Sequence, residues 1–139
     1  MATDFLERCE VIEECYEFLL AYAAQGLPAD DGGRVHEFLQ RAASALSGLP
    51  ESCSRAVRDQ ELGPADKYAA FGSMLQRDAT DSITAIELVL AQPVLSSQLI
   101  DNLNASSHLR ALLTDIFLIG EVLRTRDKLV PVIKDAGLP

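Results

Sequence analysis

Six acidic residues crowd the first seventeen positions. Five of them, Glu7, Glu10, Glu13, Glu14 and Glu17, recur at the three- and four-residue spacing that stacks side chains on one side of a helix. Carboxylates arranged in this way can ligate metal ions or present a surface to a cationic partner. The metal chemistry needs more than carboxylates, because di-iron and di-manganese centres in helical bundles draw a Glu-x-x-His motif from each of two helices. Here the residues three positions before His36 and His108 are Gly33 and Ala105, and the chain has 2 histidines in all. No metal or other cofactor is expected.

Other chemistries are equally short of parts. A lone histidine on a helical bundle is the phosphoryl acceptor of phosphotransfer domains, which follow it with a lysine and a small residue three and four positions on. His36 is followed there by Leu39 and Gln40, and His108 by Ala111 and Leu112. Cys9, Cys15 and Cys53 make an odd count in a chain large enough to form its own core, which points to reduced thiols and away from a disulfide framework. Cys9 and Cys15 diverge by about 120° on a helix and cannot easily share a zinc ion. Neither a G-x-S-x-G elbow nor a phosphate-binding glycine motif is present, and Gly32-Gly33 follows Asp30 and Asp31, which repel an anion. With no catalytic motif assembled, a function other than catalysis is expected.

The acidic face remains as the candidate binding surface. Residues 1–31 carry eight acids and one base, which is −7 of the formal −9. Glu10 with Glu14, and Glu13 with Glu17, are like-charged pairs that each weaken an isolated helix by about 0.2–0.5 kcal/mol. The plain interpretation is a hydrated face that keeps the chain dissolved. The functional one is a docking surface for a protein with a basic surface, on which that repulsion is relieved. Phe18 and Tyr22 add aromatic surface beyond one narrow seam. They either widen the core face or, if exposed, anchor a partner beside Glu10, Glu13, Glu14 and Glu17.

The elements that must position these groups are helical. Phe5, Cys9, Ile12, Tyr16, Leu19 and Ala23 alternate spacings of four and three, which predicts a first helix from the N-cap Thr3 to Gln25, with Gly26 and Pro28 stopping it. A loop over 27–33 leads to a second helix carrying Val35, Phe38, Leu39, Ala42 and Leu46, ended by Gly48 and Pro50. A short helix is expected over 51–60, with Cys53 and Val57 on one side. A long one should run from Pro64, in its first turn, to Ala91, with a polar middle at Asp78, Thr80 and Asp81 where it could bend. Residues 94–103 read as another short helix. The last long helix, capped by Ser106 or Ser107, carries Leu109, Leu112, Ile116, Ile119 and Leu123, with Leu113, Phe117 and Val122 widening its apolar surface into the most buried of the set. Pro131 predicts a kink or fresh start near Thr125. No strand-like alternation occurs, so the expected fold is all-α: a four-helix-bundle-like domain with one or two additional short helices, spanning 1–139.

Bulk properties bound the partners. At 139 residues, 48% hydrophobic and 24% charged, the chain fits one domain with a real core. Its net charge of −9 opposes binding to nucleic acid. No apolar run approaches the roughly 20 residues of a membrane span. The first residues lack the basic-then-apolar pattern of an export signal, so a cytoplasmic location is expected. Arg124, Arg126, Lys128 and Lys134 form a mildly basic stretch that could pair locally, as Glu121 with Arg124, or meet the acidic first helix within the chain or across a two-fold interface. The combined expectation is a homodimeric protein-interaction module: an adaptor, assembly factor or regulator. The alternative is a helical bundle enclosing a small molecule or cofactor in an apolar pocket, oriented by Tyr68, Asp115 or Glu121.

Overall fold

Glycine, proline and polar joints cut the chain into helices close to where their physical chemistry demands. The computed structural model describes residues 3–25 and 33–135, and the side chains of 4–25 and 33–126. The helices are α1 (Thr3–Gln25), α2 (Arg34–Ser47), α3 (Leu49–Asp59), α4 (Ala65–Leu90), α5 (Ser97–Ala105) and α6 (Ser107–Asp135), and no strand occurs among the described residues. The all-α architecture is thus as expected: four long helices and two short ones packing largely as a bundle. The loop expected over 27–33 lies outside the described residues except for Gly33, whose φ of 84° occupies the left-handed region that favours glycine.

The long helices form a ring. α2 packs on α1 and on α4, α4 packs on α6, and α6 touches α1 lightly; among the described residues α1 and α4 do not touch, nor do α2 and α6. Short helices close the two ends. At the start of α1 the Ser52 hydroxyl of α3 donates to Asp4, while at its end the Tyr22 hydroxyl donates to the Leu95 carbonyl just before α5, at 2.8 Å. α5 then fills the gap between α1 and α6. Hydrogen bonds from Arg8 near the start of α1 to Ser44 and Ala45 near the end of α2 make those two helices antiparallel. Ser82 donating to the His108 carbonyl does the same for α4 and α6.

Several boundaries differ from expectation for identifiable reasons. Thr3 is the first residue of α1 and does not flank it as a cap. Gly48 does end α2, but Pro50 opens α3, because a proline in a first turn withholds an amide that has no helical acceptor there. Pro64 takes the flanking N-cap position of α4 with an extended φ/ψ of −72° and 139°. Across Asp78, Thr80 and Asp81 α4 is continuous: Ala79 and Ser82 are buried and carry its packing face through the polar stretch. α6 does not restart near Thr125; it runs through Pro131 to Asp135, at the cost of the single backbone bond that proline cannot donate. Ser96 and Ser106 cap as their type predicts, their Oγ atoms accepting from the Leu99 and Leu109 amides at 3.1 and 3.3 Å.

One core runs through all six helices. In α1 the buried set is Phe5, Cys9, Ile12, Cys15, Leu19 and Tyr22, while Tyr16 and Ala23 are only half-buried. Cys15 and Tyr22 lie about 100° round the helix from Tyr16 and Ala23, and the Tyr22 hydroxyl reaches Leu95 just before α5, which packs closely on α1, so the covered face turns onto them. In α6, Leu109, Leu112, Ile116, Ile119 and Leu123 are buried as expected. Phe117 departs from expectation at 52% exposed, so α6 is not wrapped on all sides.

Asn104 on α5 is buried with neither amide atom hydrogen-bonded among the described residues. An unmet buried polar group costs about 1–3 kcal/mol. The near-isosteric Asn104→Leu should therefore raise the unfolding free energy by about 1 kcal/mol in urea titration. A loss of stability would show that the amide is satisfied in solution.

Candidate functional site

The acidic face of α1 is built by helical geometry alone. Glu7, Glu10, Glu14 and Glu17 are exposed on the side away from Phe5, Ile12 and Leu19, and Glu13 is half-buried at its edge. What decides its electrostatics is where the nearby cations go. Arg8 is on the flank towards α2, where its guanidinium donates to the Ser44 and Ala45 carbonyls at 3.4 and 3.2 Å. Those carbonyls belong to the last turn of α2, which carries partial negative charge and lacks helical donors. A Cβ at Gly48 would lie 2.6 Å from the Arg8 guanidinium, so a larger residue there would displace Arg8 from these carbonyls.

Arg8 and Arg55 otherwise engage Asp4, at 3.2 and 3.4 Å. The Ser52 hydroxyl, followed by Arg8 and Arg55, holds the Asp4 carboxyl below its ordinary range despite some desolvation. Stability from Asp4 is therefore present above pH 3.8 and lost as pH falls below it. Glu14 meets Arg41 at 3.8 Å, an exposed pair of small energetic weight. Burial, with Glu10 and Glu17 nearby, raises the Glu13 carboxyl, and Arg124 of α6 opposes that rise. Glu7, Glu10 and Glu17 form no ion pair among the described residues. The acidic face is thus left largely uncompensated.

The basic stretch meets this face in part. Arg124 faces Glu13 within the chain, and Arg126 is exposed. The side chains of Lys128 and Lys134 lie outside the described residues. Glu121 does not pair with Arg124 among the described residues; it accepts from the Thr125 hydroxyl at 3.5 Å.

The aromatic residues sit differently. Tyr22 is 2% exposed with its hydroxyl on Leu95, so it belongs to the core and offers no surface anchor. Phe18 is half-buried, stacked on Phe38 of α2 with centroids 4.0 Å apart and planes 8° apart. Arg34 lies over Phe18 and Arg41 over Phe38, each 5.1 Å from the ring centroid. This pair of stacked rings, each with an arginine over it, joins α1 to α2, and its outer edge borders the acidic face.

The remaining reactive residues do not assemble. Burial pushes the Cys9 thiol up to about 12 and Cys53 up to about 11, and raises Cys15; all three are buried and free. Protonated thiols are poor nucleophiles and poor metal ligands. No group of three or more His, Cys, Asp or Glu among the described residues could hold a metal ion. His36 is half-buried on α2 and His108 exposed on α6, at separate places. No helix among the described residues is long and apolar enough to cross a membrane.

Tyr68, Asp115 and Glu121 do not converge on one cavity. Tyr68 lines two surface clefts, of about 270 and 310 Å³, against α3 and α6 respectively. Glu121 is exposed. Asp115 is buried against α4, hydrogen-bonded to Asp78, and burial with that neighbour pushes its carboxyl up to about 7. Sequence reasoning noted both aspartates separately but not their meeting, because nothing in either helix's periodicity names its partner. It also missed that Phe117 and Leu118 face outward together with Met74 of α4.

Comparison with known proteins found no match to this chain among protein-family models, curated proteins or solved structures.

Proposed function

We propose that the protein is a helical protein-interaction module whose acidic α1 face docks a partner with a basic surface. One observation carries this reading: Glu7, Glu10 and Glu17 are exposed without a cation among the described residues, although Arg8 lies on the same helix and is spent on α2. Glu10, Glu13, Glu14 and Glu17 form the docking side, with the Phe18 and Phe38 stack at its edge. A basic partner relieves the carboxylate repulsion on contact, so the interaction is electrostatic and weakens with salt. Adaptor, assembly-factor and regulatory roles all fit such a surface. A reducing, cytoplasmic setting accords with three unpaired buried thiols. The small-molecule alternative has less support, since its three polar candidates point to different places.

The test is the quadruple substitution of Glu10, Glu13, Glu14 and Glu17 by Gln. Helix content in circular dichroism should be unchanged, because removal of two like-charged pairs alters the helix by less than about 1 kcal/mol. Capture of basic proteins from a lysate of the source cells at low salt, quantified by mass spectrometry, should drop at least about tenfold, corresponding to about 1.4 kcal/mol. Equal capture by the native and substituted chains would reject the acidic face as the docking surface.

A further inference from the structure

The outer edges of α4 and α6 expose apolar surface. Leu118 is 60% exposed, Phe117 52% and Met74 36%. Between the two helices lies a groove of about 310 Å³ lined by Lys67, Tyr68, Phe71, Leu118 and Val122 among others. Large apolar side chains exposed on two neighbouring helices of a small domain mark a contact surface. The charges around it say what the contact is.

The exposed stripe of α6 reads Arg110, Thr114, Phe117, Leu118, Glu121 and Thr125, at the spacing of one helix face. It has a cation at one end, an apolar centre and an anion at the other. Such a stripe is complementary to itself when turned end for end. With an axis at Phe117 and Leu118, Phe117 of one copy meets Leu118 of the other, Thr114 meets Glu121, and Arg110 comes within a helical turn of Glu121. Neither Arg110 nor Glu121 has an ion-pair partner among the described residues. Arg124, which would otherwise oppose the second Arg110, turns aside over Gly120 and faces Glu13.

Net charge favours the same arrangement. A chain at −9, with −7 in residues 1–31, is repelled by its own copy if the α1 faces meet. The proposed contact is centred on α6, which touches α1 only lightly, and the exposed carboxylates of α1 lie outside it, so the two acidic faces do not meet. A uniformly basic partner, by contrast, has no reason to prefer a stripe of mixed sign.

We propose that the outer face of α4 and α6, centred on Phe117 and Leu118, is where a second copy of this chain docks, α6 antiparallel to α6 about a two-fold axis. This isologous contact is separate from the acidic face of α1 and leaves that face free on both protomers.

Sedimentation and light scattering of the purified chain over a micromolar concentration series provide the test. The native chain should reach twice its 15.1 kDa. Phe117→Asp with Leu118→Asp should remain at the monomer mass, with the helical circular dichroism of the native chain, because both side chains are exposed. Arg110→Glu should weaken the dimer by about tenfold, and the double exchange Arg110→Glu with Glu121→Arg should restore it. A native chain that stays monomeric throughout the series, a dimer that survives the two aspartates, or a double exchange that associates no better than Arg110→Glu alone would each overturn the proposal.

Discussion

Truncating Tyr22 to alanine is expected to remove about 3–5 kcal/mol of unfolding free energy, the range for excising a large buried aromatic. The ring is 2% exposed among α1 and α5 neighbours, and its hydroxyl donates to the Leu95 carbonyl at 2.8 Å. Leu95 is itself buried, so its carbonyl has little solvent to turn to. Two effects therefore add: a void where the ring was, and a buried carbonyl left without that bond. Tyr22→Phe isolates the second and should cost about 1–2 kcal/mol. Against a typical total of about 5–15 kcal/mol, the alanine variant of so small a domain approaches the edge of folding. Urea titration of the three chains gives the comparison. A phenylalanine variant as stable as the native chain would mean that the hydroxyl does not tie α1 to the entry of α5. A stable alanine variant would return Tyr22 to the surface.

Stability should fall as the solution is taken from acid towards neutral, and Asp115→Asn should remove most of that fall, leaving the smaller part that the raised Glu13 contributes in the same sense. Asp115 is 5% exposed, one of its oxygens has no hydrogen-bond partner among the described residues, and Asp78 is the charged group that raises it further. Its carboxyl moves from an ordinary 3.8 to about 7 in the folded chain, chiefly through burial and then through Asp78. Below pH 3.8 both folded and unfolded chains hold the proton. Between 3.8 and about 7 the folded chain keeps a proton that the unfolded chain has released, so the unfolding free energy declines with rising pH. Above that window the contribution is gone. The decline should total about 2–4 kcal/mol, at about 1.4 kcal/mol per pH unit. An asparagine keeps the shape, can donate to Asp78 and never ionises. The variant should match the native chain near pH 4 and exceed it by about 2–4 kcal/mol near pH 8. Parallel profiles for the two chains would show that Asp115 is ionised freely in the folded state. Asp4 contributes in the opposite sense and below pH 3.8, so the two effects occupy different windows.

Most of the architecture was legible because it rests on local rules. Amphipathic spacing marks α1 and α6, serines cap α5 and α6, and glycine or proline stands at the joints, all within a few residues of where the helices begin and end. The acidic face was legible for the same reason, since residues 7, 10, 14 and 17 share a side of any helix they form. Its lack of compensation was not. That depends on Arg8 reaching across to the end of α2, a contact between residues 36 and 37 positions apart.

What the residues determine alone is which segments coil, which side of each is apolar, and that the charge is concentrated at one end; these follow from bonding and hydration within a turn or two of chain. Which apolar residues find a covering neighbour is decided only by packing. Phe117 and Leu118 are as hydrophobic as Leu112 and Ile116 beside them, yet one pair faces water and the other is buried, because the neighbours of α6, namely α4, α5 and α1, leave its outer face uncovered. The pairing of Asp78 with Asp115 and the withdrawal of Tyr22 into the core have the same origin. Each depends on the crossing of two helices distant in the chain, and the free energy of such a crossing is written in no single stretch of sequence.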